Sequence, residues 1–389
     1  MQSTTQPYLA YRLSGRPLDL GLIGFASTLP TLIIALPAGV LVERLDKRKT
    51  VITMQAVMLF QAFLMGILTL TGKIQIWHIT VLAFILGCAN AIEITSRQSM
   101  LIELVGRAAL PNAIALQTAI FNGARVLGPS LTAIVLVLIK NQGEGWAFMI
   151  NAASYLFIIF GLFFVKTPYK LPGQNIEQGK RNLLGEFKEG QRYILGNSTV
   201  GLVILMAALL GFFGFPFSQQ IPALARDVLH QAMDTELIIK ARTSSLYIAQ
   251  GIGALIAAVY ISLYSGLRQK GLLLAIGQVV FAISLIIISF TTSQPIVLVL
   301  IVFLGWAMVT QLALMNTIIQ VNIPDNLRGR VFSTYLWALQ GVAPFGSLFV
   351  GWFAQTWNIP TTALFFGCTC LFLIVIIHLI KPEIIRKTY

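Results

Sequence analysis

The sequence predicts an all-α polytopic membrane protein, and three observations lead there. Hydrophobic residues make up 57% of the 389-residue chain and charged ones only 11%, whereas soluble domains carry roughly 25% charged residues. The apolar residues fall in repeated runs of about 20, the length at which an α-helix crosses about 30 Å of hydrocarbon. Examples are 53–71, 146–165, 271–290 and 296–314. Lipid offers the backbone no hydrogen-bond partner, so each run must satisfy its own peptide groups as a helix.

Taken in order, the runs place helices near 17–42, 50–71, 76–103, 110–139, 145–166, 198–225, 237–264, 270–291, 294–322, 327–356 and 360–381, eleven complete spans. Residues 1–14 read as the tail of one more helix. About 20 apolar residues are needed to span, and only eleven residues precede Arg12. Met1 is therefore expected to lie inside a natural first helix, the chain carrying it in truncated form. The one long hydrophilic segment separates two halves: an N-terminal helical bundle at 1–166, a central loop at 167–197, a C-terminal bundle at 198–381 and a tail at 382–389. Within the loop, Leu183, Leu184, Phe187, Tyr193 and Ile194 give Asn182 to Leu195 the spacing of a helix lying on a membrane surface.

The formal charge of +13 does not mark a nucleic-acid partner, because the basic residues occupy short connectors and build no basic domain. If the opening fragment counts as the first helix, the even-numbered connectors and the tail hold eighteen Lys/Arg and the odd-numbered connectors seven. Short loops rich in Lys/Arg stay in the cytoplasm, which places the central loop and the C-terminus there and the chain in the cell membrane. Cys88, Cys368 and Cys370 lie inside apolar runs, away from metal-site spacing with the three histidines, so no metal site and no thiol chemistry is expected. Sliding the chain 218 residues along itself brings Asn122-Gly123 and Gly128 onto Gln340-Gly341 and Gly346, as in transporters built from two parallel repeats.

Three stretches carry a family resemblance. Gly39 to Lys49, with Glu43, Arg44, Asp46, Lys47 and Arg48, resembles the loop between helices two and three of the major facilitator superfamily. That loop usually has Asp where this chain has Glu43; Asp46 in place of Gly resembles the branch containing enterobactin and macrolide exporters, the drug:proton antiporter-like members. Glu93 to Val105, with Arg97 and Glu103, then Asn112, Asn122, Arg125 and Gly128-Pro129, resembles the fourth and fifth helices of that branch, in a looser copy. Ile323-Pro324-Asp325 to Ser333, with Arg328, Gly329 and Arg330, and then Pro344 and Gly346-Ser347, resembles the connector between helices ten and eleven.

The resemblance implies two six-helix bundles around a midplane cavity, rocking between two access states. It implies a secondary active exporter of a small amphipathic organic molecule, such as a drug-like compound, siderophore or metabolite, driven by the proton gradient without a bound cofactor. Its partners would be that substrate and the bilayer, and the chain would act as a monomer. An importer of the same superfamily, or a polytopic membrane protein that does not transport or has decayed, remains open. No enzyme is expected, since a His-Glu-x-x-His pattern, a nucleophile elbow and a phosphate loop are all missing from the sequence.

Ionisable side chains within apolar helices are costly unless paired or hydrated, which makes each one a functional candidate. Glu93 and Arg97 stand one helical turn apart, with Asn90 on the same stripe; Asn122 and Arg125 form a similar stripe on the next helix. One reading makes Glu93 the proton-binding acid, and the other makes these residues a buried structural ion-pair network. Gln250, Gln311 and Asn316, with Gln320, are candidates for the cavity in the second half, and Phe212, Phe213, Phe215 and Pro216 for its aromatic wall and a kink. Gly39, Glu43, Arg44, Asp46, Arg48, Gly128, Pro129, Asp325, Arg328, Gly329 and Arg330 are the candidate gating positions.

Overall fold

The structure, a computed structural model, describes residues 1–139, 142–165, 183–231, 234–263, 270–324 and 327–381, and within them omits some helical side chains, named below where they matter. It is helical throughout, with no strand among the described residues. Six helices precede the central loop: α1 (Gln2–Ser14), α2 (Pro17–Arg44), α3 (Lys47–Leu70), α4 (76–105), α5 (107–138) and α6 (Gly143–Phe164). The loop contributes α7 (Leu183–Gly196), and six helices follow: α8 (198–228), α9 (Glu236–Leu263), α10 (Lys270–Ser289), α11 (Gln294–Asn322), α12 (328–357) and α13 (Ile359–Ile380). Ten of them are long and apolar enough to cross a membrane among the described residues, and α5 adds the apolar stretch Leu127–Leu136. At 1.5 Å per residue the 13 residues of α1 reach about 20 Å, short of a full span.

The helix ends agree with the sequence except at three places. No polar connector separates α4 from α5: helix continues from Ile76 to Leu138, and the chain turns at Gly106 alone, with φ 70 and ψ 173. Only glycine takes that conformation at no steric cost. Helix α8 is interrupted by π turns at Leu210–Gly214 and Leu224–Val228, and α12 by one at Trp337–Gly341. The two inner π turns press on each other, since a Cβ on Gly211 would lie 2.0 Å from the Leu339 carbonyl oxygen. Glycine is required there for the backbones to meet.

The halves meet along two seams, α2 against α12 and the α4–α5 pair against α9. The 218-residue offset relates α5 to α12, so each half lends a corresponding helix to a seam. At the α2–α12 seam Gly21 meets Ser347 and Gly351, and Phe25 stands edge-on to Phe345 at 6.4 Å. The chain alternates direction, so helix ends fall into two layers. The near end holds the loop helix α7, the turn at Leu45 and Asp46, Gly106 and Lys381; the far end holds Gly15, Gly72, Gln142 and Asn358.

Candidate functional site

Between the halves lies a cavity of about 660 Å³, bounded by α1, α2 and α5 on one side and by α8, α9, α11 and α12 on the other. That volume falls within the range of drug-sized binding sites. Its polar side chains are neutral: Thr4, Thr28, Ser218, Gln219, Tyr247, Gln250 and Gln340 stand among Phe215, Met308, Val309 and Leu312. No charged side chain belongs to the described lining. Gln250 donates to Ser218 Oγ at 2.7 Å and stands 3.8 Å from Met308 Sδ. The Tyr247 hydroxyl is buried with no hydrogen-bond partner, an unmet donor in the wall. The π turns place the wall: one leads into Phe215 and Ser218, the other carries Gln340, in keeping with the frequent use of such bulges at functional sites.

At the far end, charges join the halves. Glu144, at the start of α6, is fully buried and receives Arg12 of α1 and Lys240 of α9 on the same oxygen, each at 3.0 Å; its other oxygen is buried and unpartnered. Tyr8 donates to Glu236 at 3.3 Å, Tyr11 donates to Asp227, and Gln220 donates to the Pro17 carbonyl at 3.3 Å. Arg226 holds Glu236 at 2.6 Å, and a two-pronged Arg242–Asp234 pair, with contacts of 2.6 and 3.1 Å, fixes the turn from which Glu236 and Lys240 rise. Those hydrogen bonds hold the Asp234 carboxyl below the usual carboxylate range, whereas burial, opposed by the Tyr11 hydroxyl, pushes that of Asp227 up.

At the near end the described polar contacts stay on one side of the divide. Lys47 pairs with Glu103, Arg48 caps the end of α6 through the carbonyls of Leu162 at 2.8 Å and Phe163 at 2.6 Å, and Asp46 caps α3 by accepting from Lys49 N at 3.1 Å. Arg330 pairs with Glu189 of α7, and Gln191 with Thr334 at 3.1 Å, so the loop helix is tied to the second half.

The structure distributes the candidates of the sequence over several places. Gln250, Gly128 and Pro129 line the cavity, as does Phe215, while Phe212 and Phe213 turn away to pack on Phe349 and Phe366. Glu93 is buried within the first half, where Arg97 Nε at 2.9 Å and Gln55 Nε2 at 3.3 Å reach one oxygen, and neither it nor Asn90 belongs to the lining. Gln311 is buried with its amide 3.5 Å from the Gly277 carbonyl, and Asn316 accepts from Gln320. The side chains of Gly39, Glu43, Arg44, Asn122, Arg125, Arg328 and Gly329, and Asp325 as a whole, lie outside the described residues, as do Leu183, Leu184 and Phe187 of the loop helix. Sequence reasoning missed Glu144, Lys240 and the tyrosines. Glu144 sits in a polar turn, where an acid attracts no notice, and Lys240 falls in the first turn of an apolar helix; nothing local shows that they face each other.

Comparison with known proteins gives a consistent picture. A family model described as transmembrane secretion effector matches residues 1–385. The chain is 22% identical to the multidrug efflux pump Tap of Mycolicibacterium fortuitum, over 92% of this chain and 86% of that one. It is 23% identical to the staphyloferrin A transporter of Staphylococcus aureus, over 95% and 89%, and 20% identical to macrolide efflux protein A of Enterococcus faecalis, over 82% and 95%. Among solved structures it resembles the nucleoside transporter NupG, with TM-score 0.72 and 10% identity over 97% of this chain and 93% of that one. A bacterial homologue of the human lysosomal transporter Spinster, in inward-facing and occupied conformation, gives TM-score 0.66 and 12% identity over 99% and 91%.

Proposed function

We propose that this chain, which belongs to the transmembrane secretion effector family of the major facilitator superfamily, exports a small amphipathic organic molecule by alternating access. It is a polytopic membrane transporter and not an enzyme. The observation that carries the proposal is the cavity between the halves, with ion pairs and hydrogen bonds joining the halves at its far end. Its neutral amide and hydroxyl groups among apolar side chains suit a ligand with scattered acceptors on an apolar frame. The efflux-pump relatives support the outward direction.

In this reading the near end, rich in Lys/Arg, faces the cytoplasm, and substrate loads from that side. Protons entering down their gradient supply the work. One charge moving through 100 mV is worth about 2.3 kcal/mol, enough for roughly a fiftyfold gradient of a neutral solute. Glu93 is the acid assigned to that exchange.

The test uses inside-out vesicles holding the full chain, a lipophilic macrolide outside and an imposed acid interior. The proposal expects macrolide accumulation beyond the passive trapping seen in protein-free vesicles under the same gradient, and this excess should collapse with the pH gradient. Accumulation that ignores the gradient would remove proton exchange. Release of preloaded macrolide, with no accumulation, would reverse the direction and make the protein an importer.

A further inference from the structure

Inside the second half, behind the wall of the main cavity, lies a much smaller pocket of about 10 Å³. Its floor is apolar and buried: Phe217 and Ile221 of α8, Phe281 of α10, and Ile301 and Leu304 of α11. Ser218, Gln250 and Met308 belong to the walls of both pockets and form the partition between them. The pocket is therefore a side chamber of the main cavity. Its volume is about that of one water, but a water needs two to four polar partners, and the floor offers none. An apolar chamber of this kind stays dry and accepts apolar guests.

The partition is held by weak contacts. Gln250 Nε2 reaches Ser218 Oγ at 2.7 Å and Met308 Sδ at 3.8 Å, and the Ser218 hydroxyl donates to the same sulfur, also at 3.8 Å. A thioether is a poor acceptor, so two donors are spent on a partner that an ether, carbonyl or sulfonyl oxygen would better. Methionine is unbranched and has three rotatable bonds, so Met308 can swing aside without movement of the backbone. The space of its thioether and terminal methyl then joins the chamber.

We propose that this chamber is a subsite for a compact branched alkyl group of the ligand, such as isopropyl or tert-butyl, carried beside an acceptor oxygen. The proposal rests on the reading of the main cavity as the ligand site. The alkyl group displaces Met308 and packs on the apolar floor, while the oxygen takes over the hydrogen bonds of Ser218 and Gln250. The chamber thereby supplies a selectivity that the rest of the wall lacks. An unbranched ligand leaves it empty, and a charged arm would be buried against Phe281 and Leu304 without a partner.

Fluorescence titration of the purified full chain with N-methyl, N-isopropyl and N-tert-butyl dansylamide tests this without transport, since the sulfonyl oxygens supply the acceptor and only the branch varies. Each buried methyl contributes about fourfold in affinity and displacing Met308 offsets part of it, so the N-tert-butyl compound is expected to bind about tenfold more tightly than the N-methyl one. Met308→Ala, which leaves the chamber open, is expected to raise that preference several-fold further. Leu304→Phe, which fills it, is expected to cut the preference below threefold. Unfolding temperatures establish that the variants fold, and if Leu304→Phe does not, Met308→Ala decides alone. The same preference in wild type and folded variants would overturn the subsite. Failure of all three compounds to bind would overturn it together with the ligand role of the cavity. A preference set by the chamber, in a protein that accumulates no macrolide, would overturn only the transport reading.

Discussion

Glu144 and Glu93 are both buried acids held by arginine at about 3 Å, yet their partners differ in a way that separates their roles. Glu144 takes one cation from its own half and one from the other, Arg12 and Lys240, so its environment exists only while the far end is closed. Glu93 takes Arg97 and Gln55 from its own half, and rocking of the halves leaves both in place. A group can bias an equilibrium between two states only through interactions that differ between them. Glu144 is therefore the group of the two that joins the halves, whereas the contacts of Glu93 stay within one half, as its proposed part in proton exchange requires.

Substitutions can break this comparison, and the largest effect is expected at Glu93. Glu93→Gln should abolish pH-driven efflux while leaving folded protein in the membrane, and exchange of substrate for substrate, which needs no proton, should continue. Unchanged pH-driven efflux would take Glu93 out of the mechanism. Next comes Glu144→Gln, which leaves the buried Lys240 and the half-buried Arg12 without their acid. Breaking a buried pair costs about 3 to 5 kcal/mol, so the closed far end should lose at least a hundredfold in population. Spin labels at Lys73→Cys and Phe290→Cys, on opposite halves at that end, should move apart, and an unchanged distance would contradict the latch.

Smaller effects sharpen the contrast. Tyr247→Phe removes a hydroxyl with no partner in the protein, so folding should be untouched while substrate affinity falls about fivefold, the equivalent of about 1 kcal/mol for one hydrogen bond. Equal affinity would show that the hydroxyl does not meet the substrate. Asp227 gives a pH dependence. Its carboxyl is raised by burial in the closed form, and opening returns it to water and the ordinary range. Protons then bind the closed form more tightly, so closure should strengthen as pH falls through the raised range and the gain should vanish above it. The same spin-label distances measured against pH check the sign. Arg48→Ala, which removes two caps on α6 within one half, should slow turnover a few-fold and leave substrate affinity within twofold.

Much of the fold was legible because membrane insertion makes each span announce itself by length and composition. The eleven runs and the polar segment between the halves could be read directly from residues such as those at 271–290 and 296–314. What escaped was set by contacts between distant segments. Gly106 looked like part of a connector because Arg107 and Pro111 flank it, whereas one glycine with positive φ suffices for the turn. The π turns left only Gly211, Gly341 and the kink expected at Pro216 as marks, and glycine in an apolar helix has many uses. At the site, Gln250 stood out as a polar residue in an apolar run and Gly128 as part of a family motif, a candidate gating position, and both lie in the cavity wall. Glu144, Lys240, Tyr8 and Tyr11 did not stand out, since an acid in a turn or a tyrosine near a helix end is ordinary until its partner, up to 228 residues away, is known.

The central claim is that one cavity is reached alternately from two sides, with the Glu144 cluster closing the far one. Labelling of Gln250→Cys by a membrane-impermeant thiol reagent, in a chain whose Cys88, Cys368 and Cys370 are replaced, tests it most directly. With Glu144 intact, the account predicts fast labelling from the side of the central loop, slow labelling from the opposite side, and protection by substrate. In Glu144→Gln the preference should reverse. Equal labelling from both sides, or a side preference that Glu144→Gln leaves untouched, would contradict it.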